Sequence, residues 1–171
     1  MRILVVVSSN RAAAGVYDDR SGPVAVEALR PTAEETDGQV DGPIVVADGE
    51  PVEHALRQAV DEGYDVVVTS GGTGVAPGDR TPEMTLRVVE RSVPGVAEAI
   101  RADGVRRGVP SAMLSRGVAG VAGSTLVVNL PGSTGGVRDG VAVLAPILGH
   151  VVDQLAGTDH PARSPRGGDR G

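Results

Sequence analysis

The chain has 171 residues, enough for one domain that buries roughly two-thirds of the surface that its unfolded form exposes. It contains no cysteine, and all 16 basic residues are arginine, which excludes disulfides, thiolate metal sites, a Schiff-base lysine and the lysine of a P-loop. The net charge of −6 and the two tyrosines as sole aromatics argue against nucleic-acid binding and favour a small-molecule ligand.

Apolar runs alternate with helical patterns along the chain, which predicts an α/β fold with a mostly parallel sheet buried by helices on both faces. Strands are predicted at residues 3–8, 43–47, 65–70, 111–115 and 124–131, with residues 32–42 as a surface loop and 116–123 as a connection. Helices are predicted at residues 23–30, 50–63, 81 onward, 93–108 and about 137–155.

Prolines and capping residues predict where these helices begin and end. Pro31 should end the first helix, and Pro146 should kink or divide the last one. Thr81 is expected to be an N-cap, followed by Pro82 at the first helical position.

The predicted organisation is one domain over residues 1–157 and a disordered tail over 158–171. The tail has almost no apolar content and carries Arg163, Arg166 and Arg170, so a solvated tail is favoured over a docking segment. No apolar run reaches the ~18 residues of a membrane span, and the first run lacks the flanks of a signal peptide. A cytoplasmic protein without membrane contact is therefore expected.

Polar or glycine residues follow five of the apolar runs directly. Because ligands of open α/β sheets bind beyond the carboxyl ends of the strands, these residues are predicted to line one site. The five clusters are residues 8–11, 48–49, 70–72, 115–116 and 129–132.

The densest of these clusters opens the stretch TSGGTGVAPGDRTPE, residues 69–83. It is not a Rossmann fingerprint, because Pro77 stands where the last glycine belongs, and it lacks the Lys-Ser or Lys-Thr of a Walker A loop. Glycines let backbone N–H groups approach a phosphate closely. From the glycine content of the loop alone, a phosphate-binding loop and a plain strand-to-helix turn are equally favoured.

Together with SSNRAAAGVYDDRSGP before it and LSRGVAGVAGSTLVVNLPGSTGGVRD after it, this stretch resembles the molybdopterin adenylyltransferase (Mog/MoaB) family of molybdenum cofactor biosynthesis. The resemblance covers about residues 2–155. It implies a three-layer α/β/α sandwich, usually a homotrimer, that transfers AMP from Mg-ATP to the terminal phosphate of molybdopterin and releases pyrophosphate. It also implies a hand-off of the product to a molybdate insertase.

Two alternatives to this function are kept open. One is a carrier or storage protein that binds molybdopterin without useful adenylyl transfer. The other is a module of a larger enzyme.

By the resemblance, the two acidic residues of the family fall on Asp48 and Asp79, which are assigned to catalysis and to Mg²⁺. Mg²⁺ prefers one or two carboxylates plus phosphate oxygens and waters. Nucleotidyl transfer to an ionised phosphate needs charge neutralisation and alignment more than a strong base. The nucleotide- and substrate-binding positions implied are Ser70, Gly71, Gly72, Thr73, Gly74, Ser115, Arg116, Asn129, Pro131, Gly132 and Ser133.

Simpler interpretations stand beside several of these assignments. Asp79 is also a common turn residue before a helix, and Asp48 also starts an ordinary Asp-Gly turn. Arg11 and Arg116 are suited equally to gripping phosphate and to a surface ion pair. For Ser133, capping of the last helix is the first interpretation.

Two positions depart from the family pattern. Asn10 stands where many members carry an aspartate or threonine, and Val105 where some carry a serine at the pterin. The three histidines (His54, His150 and His160) show no metal-ligand spacing and are expected to be surface or packing residues.

Overall fold

The computed structural model describes residues 1–157, so the predicted disordered tail lies outside the described residues. Six strands form one sheet in the order β2-β1-β3-β6-β5-β4. The first four in this order run parallel, whereas β5 is antiparallel to β6 and β4 to β5. The strands are β1 (Arg2–Ser8), β2 (Gln39–Val46), β3 (Val66–Ser70), β4 (Arg91–Ser92), β5 (Ala119–Ala122) and β6 (Thr125–Leu130).

Helices cover both faces of this sheet and create two cores. The side chains of β1 alternate between them: Ile3 and Val5 face one core, Leu4 and Val6 the other. The helices are α1 (Asn10–Ala13), α2 (Ser21–Glu34), α3 (Glu50–Asp61), α4 (Thr81–Leu86), α5 (Pro94–Arg106) and α6 (Thr134–Leu155). Because α2, α5 and α6 cover one face and α3 and α4 the other, the three-layer α/β/α prediction is confirmed.

The first helix was predicted to end before Pro31, and this was wrong. α2 runs from Ser21 to Glu34. Ala25, Leu29 and Ala33 share its buried face, while the Pro31 ring is exposed. The burial of Ala33 holds the last turn in place, so packing overrides the local preference for ending the helix.

The second strand begins earlier than predicted, because Gln39 to Gly42 belong to β2 and not to a surface loop. β2 is a largely exposed edge strand, and its first half, residues 39–42, lacks the apolar run that identified the second half. Its pairing with β1 shifts register between Leu4 and Val6, opposite Gly42 and Pro43. Pro43 is tolerated because an edge strand leaves one side of its backbone unpaired.

The predicted strand at residues 111–115 was also wrong, since Pro110–Leu114 forms a 3₁₀ turn. Met113 and Leu114 are 63% and 54% exposed, so no sheet covers them. The strand lies instead in the predicted connection, at β5, which is built of small residues and reaches β6 through a tight turn at Gly123 (φ +56°). α1 and β4 were not predicted.

The starts of α4 and α6 partly match the expectations. Thr81 is the first residue of α4, and Arg80 occupies the cap position. Ser133 caps α6, as first interpreted: its Oγ accepts a hydrogen bond from the Gly136 N–H at 3.1 Å. α6 continues through Pro146 as one helix, so of the two predicted outcomes Pro146 does not divide it, and the kink stays a prediction.

Among residues 1–157, α6 is the one helix long and apolar enough to cross a membrane by length and composition. The buried core helix of a soluble protein passes the same test. Here Val137, Val141, Leu144 and Leu148 are buried in the core shared with α2 and α5. The expected absence of membrane contact stays a prediction.

Candidate functional site

The carboxyl ends of three neighbouring strands meet at one edge of the sheet. Ser70 of β3 is in register with Val7 of β1 and with Leu130 of β6. Two cavities open beyond these ends: a first pocket of about 400 Å³ and a second pocket of about 570 Å³. The residues that line both pockets are Gly71, Gly72, Asp79 and Gly132.

Glycine is required where the loop crosses the strand ends. Gly71 and Gly72 have φ of +97° and +61°, in the region that favours glycine. A Cβ on Gly71 would lie 2.3 Å from the Ser8 carbonyl oxygen, and one on Gly132 would lie 3.1 Å from the Gly71 Cα. The glycines thus allow backbone segments to pack directly against each other at the floor of both pockets.

Asp48 lies in the first pocket, between β2 and α3. Its Oδ1 accepts hydrogen bonds from the N–H groups of Gly49 (2.9 Å) and Arg80 (3.2 Å), and its own N–H donates to Asn10 Oδ1 at 3.0 Å. A Cβ on Gly72 would lie 2.3 Å from Asp48 Oδ2. This second oxygen accepts no hydrogen bond from residues 1–157, so it is available to a ligand.

Asp79 stands in the glycine loop at the junction of the two pockets. Its Oδ2 accepts from the Ala76 N–H at 3.0 Å, and its own N–H donates to the Ala76 carbonyl at 2.9 Å, which closes a turn. Within the described part of the chain, its Oδ1 accepts no hydrogen bond. Asp79 is therefore a turn residue that still presents one carboxylate oxygen.

Two carboxylates with one available oxygen each fit a magnesium ion carried in on a substrate phosphate, which keeps waters in its shell. Residues 1–157 contain no group of three or more His, Asp or Glu that forms a metal cage. His54 and His150 are exposed and line neither pocket, and His160 lies outside the described range. The donor set suits Mg²⁺ bound together with a phosphate group.

The serine and proline positions converge on the pockets as expected. Ser70 Oγ donates to the Pro131 carbonyl at 3.1 Å and ties β3 to the segment after β6. Ser115 Oγ accepts from the Gly117 N–H at 3.3 Å. Ser70 lines the first pocket, and the second is lined by Thr73, Gly74, Ser115, Pro131 and Ser133.

Asn129 was expected at the ligand, but its side chain lines neither pocket and is 3% exposed. Its Nδ2 donates to the hydroxyls of Thr69 (3.0 Å) and Thr85 (2.9 Å), and its Oδ1 accepts from the Val118 N–H at 3.2 Å. The amide is fully satisfied inside the protein. We correct its role to structural, since it links β3, β6 and α4 beneath the site.

Arg116 was also expected at the substrate, and it too lines neither pocket. Its guanidinium donates to the carbonyl oxygens of Gly74 (2.7 Å) and Asp79 and to the Glu83 carboxylate. The pKa of Glu83 lies below its ordinary value, mainly because its carboxylate accepts a hydrogen bond from Arg116. Arg116 is bound to protein groups of the glycine loop.

Sequence reasoning missed several residues of the first pocket. Tyr17 lines it, shares a hydrogen bond of 3.1 Å with Ser9 Oγ, and lies beneath the Arg11 guanidinium at 4.9 Å from the ring centroid. Ser8, which belongs to the predicted cluster 8–11, also lines this pocket, and its buried hydroxyl has no hydrogen-bond partner among residues 1–157. Tyr17 is one of only two aromatics in the chain, a signal that could have identified it.

The wall of the second pocket was missed for a different reason. Val109, Ala112 and Leu114 belong to or precede the 3₁₀ turn that had been predicted as a strand. The two residues that depart from the family pattern differ in their position relative to the pockets. Asn10 lines the first pocket and supports Asp48, whereas Val105 is 40% exposed and lines neither pocket.

Comparison with known proteins identifies the family of this chain. Residues 4–150 match the family model described as "Probable molybdopterin binding domain". The molybdopterin adenylyltransferase of Helicobacter pylori (strain J99) is 35% identical over 163 residues, 92% of this chain and 89% of that protein. A solved structure of MogA is 52% identical, with a TM-score of 0.84 over 91% of this chain and 99% of that chain.

A further relative is longer than this chain. The molybdenum cofactor biosynthesis bifunctional protein of Chlorobaculum tepidum is 36% identical over 161 residues, 93% of this chain. The chain spans 50% of the length of that protein. The family model and the near full-length match to the H. pylori protein confirm the resemblance, and the chain belongs to the molybdopterin-binding Mog/MoaB family of molybdenum cofactor biosynthesis.

Proposed function

We propose that this protein transfers the adenylyl group of Mg-ATP to the terminal phosphate of molybdopterin and releases pyrophosphate. The observation that carries the proposal is the position of Asp79, in a glycine loop that forms part of both pockets. Two substrates bound in adjacent pockets would bring their phosphates together at this loop. The relatives named molybdopterin adenylyltransferase, matched over most of their length, support the same reaction.

The reaction is a displacement at phosphorus. A terminal phosphate oxygen of molybdopterin attacks the α-phosphorus of ATP, the bond from that phosphorus to the oxygen bridging to the β-phosphate breaks, and pyrophosphate leaves with that oxygen. The attacking phosphate is ionised near neutral pH, so positioning and charge neutralisation supply the catalysis. Mg²⁺ would neutralise charge on the triphosphate, held by Asp48 Oδ2 and Asp79 Oδ1.

Side-chain chemistry favours one assignment of the substrates. The first pocket contains the cationic side chains Arg11 and Arg20 and the aromatic ring of Tyr17 beside the two aspartates, which suits a nucleotide. The second pocket is walled by Ile100, Val109 and other apolar side chains of α5 and the 3₁₀ turn, which suits the flat pterin. We therefore place ATP in the first pocket and molybdopterin in the second.

The test is pyrophosphate release from ATP and Mg²⁺ by the purified protein, with and without free molybdopterin. Release that depends on the pterin is expected. Binding of the pterin without release would replace this function by that of a carrier, and failure to bind it would overturn both.

We also propose a homotrimer that passes its product to a molybdate insertase in the cytoplasm. The family resemblance implies the trimer, and Val16, Leu86 and Met113 are large apolar side chains left exposed on a single chain. Light scattering should give the mass of three 17.3 kDa chains. A monomeric mass at micromolar concentration would contradict the trimer.

A further inference from the structure

The glycine loop is held from the opposite wall of the second pocket by one side chain, Arg116. The backbone N–H of Arg116 donates to the Thr73 carbonyl at 2.8 Å. Its Nε donates to the Gly74 carbonyl at 2.7 Å, Nη2 to the Asp79 carbonyl, and Nη1 to Glu83. These contacts lie on both sides of the exposed segment 75–78 and on the first turn of α4.

The arginine is itself anchored from α5. Arg101 Nη1 donates to the Gly117 carbonyl at 2.8 Å, directly beyond Arg116. The segment that carries Arg116 is thus fixed to the helix that walls the second pocket, and Arg101 and Ser115 both line that pocket. Arg116 connects this wall to the loop that presents Asp79.

The loop has few other restraints of its own. Val75 is 68% exposed, and the turn around Asp79 is closed by its two contacts with Ala76. A backbone hydrogen bond from the Thr81 N–H to the Gly72 carbonyl at 3.0 Å joins the loop ends, and the Arg80 N–H donates to Asp48 Oδ1 at 3.2 Å. A planar guanidinium with its N–H groups in a rigid fork can hold two carbonyls and a carboxylate at once, which an ammonium group cannot reproduce.

We propose that Arg116 is a positioning residue, which fixes the glycine loop and thereby the Asp79 carboxylate against the second pocket. The expected effect on kcat rests on the proposed function. The expected effect on the order of the loop does not. The positioning role differs from a phosphate-gripping role, because the guanidinium contacts protein groups and lines neither pocket.

The test compares Arg116→Lys with Arg57→Lys, the same change at an exposed ion pair with Glu53 on α3. Hydrogen–deuterium exchange is measured on the substrate-free proteins, where the Ala76 and Asp79 amides report loop closure. We expect exchange at residues 73–80 to accelerate by at least ~10-fold in Arg116→Lys and to stay unchanged in Arg57→Lys. Glu83→Gln, which keeps both carbonyl contacts, should give a smaller acceleration.

The kinetic readout separates positioning from substrate binding. Arg116→Lys should lower kcat by ~30-fold or more while the KM values for ATP and molybdopterin change less than ~3-fold. Unchanged loop exchange, or a raised KM with unchanged kcat, would overturn the inference. If the wild-type protein releases no pyrophosphate, the proposed function fails, and the exchange experiment still decides the role of Arg116.

Discussion

Asp79→Asn is expected to lower kcat/KM for molybdopterin-dependent pyrophosphate release by at least ~100-fold, or about 2.7 kcal/mol of transition-state stabilisation. The variant keeps the size of the side chain, and its amide oxygen can still accept the hydrogen bond from the Ala76 N–H. The amide NH₂ group then occupies the position of the available Oδ1. A cation would meet hydrogen-bond donors there instead of a negative charge, so the reaction fails although the loop stays closed.

The matched control is Asp37→Asn, which removes the same charge. Asp37 lies between α2 and β2, at the opposite edge of the sheet from the site, with φ of +49°. Asn tolerates this conformation well, so activity and stability should be those of the wild type. If Asp79→Asn retains activity within ~3-fold of wild type, Asp79 is a turn residue only and the proposed role of its charge is wrong.

Gly72→Ala is expected to abolish activity, with a loss of at least ~100-fold, and to lower the free energy of unfolding by ~1–3 kcal/mol. At φ of +61° an L side chain is strained, and its Cβ would lie 2.3 Å from both Asp48 Oδ2 and Thr81 Oγ1. These contacts can be relieved only if the side chains move. The Asp48 carboxylate is then displaced from the first pocket, so the loss of activity is larger than the loss of stability.

Gly95→Ala is the same substitution at a position where we expect the free energy of unfolding to rise instead of fall. Gly95 lies in α5, is exposed, and an added Cβ would meet no atom within 4 Å. Alanine there should raise the free energy of unfolding by up to ~1 kcal/mol, because glycine is a poor helix former. Urea denaturation and pyrophosphate release of both variants check the pair. A fully active Gly72→Ala would show that Asp48 has no fixed place beside the loop.

Several features of this protein were determined by local sequence. The buried strands β1, β3 and β6 read as apolar runs because helices cover both of their faces. The convergence of Asp48 and Ser70 follows from strand order, since the carboxyl ends of parallel strands share one edge. The family was apparent from three blocks of residues, because loops that hold a ligand restrict residue type at many positions.

Only the tertiary structure decided the elements whose local signal was weak or misleading. Three of the four β5 residues, Ala119, Gly120 and Ala122, have low strand propensity, and the strand forms because it pairs with β6. α2 passes Pro31 because Ala33 is buried beyond it. The roles of Asn129 and Arg116 depend on partners 33 to 60 residues away. These partners are the Gly74 and Asp79 carbonyls and Glu83 for Arg116, and the hydroxyls of Thr69 and Thr85 for Asn129. A sequence motif can show that such a side chain is needed, but which atom it contacts is set by long-range packing.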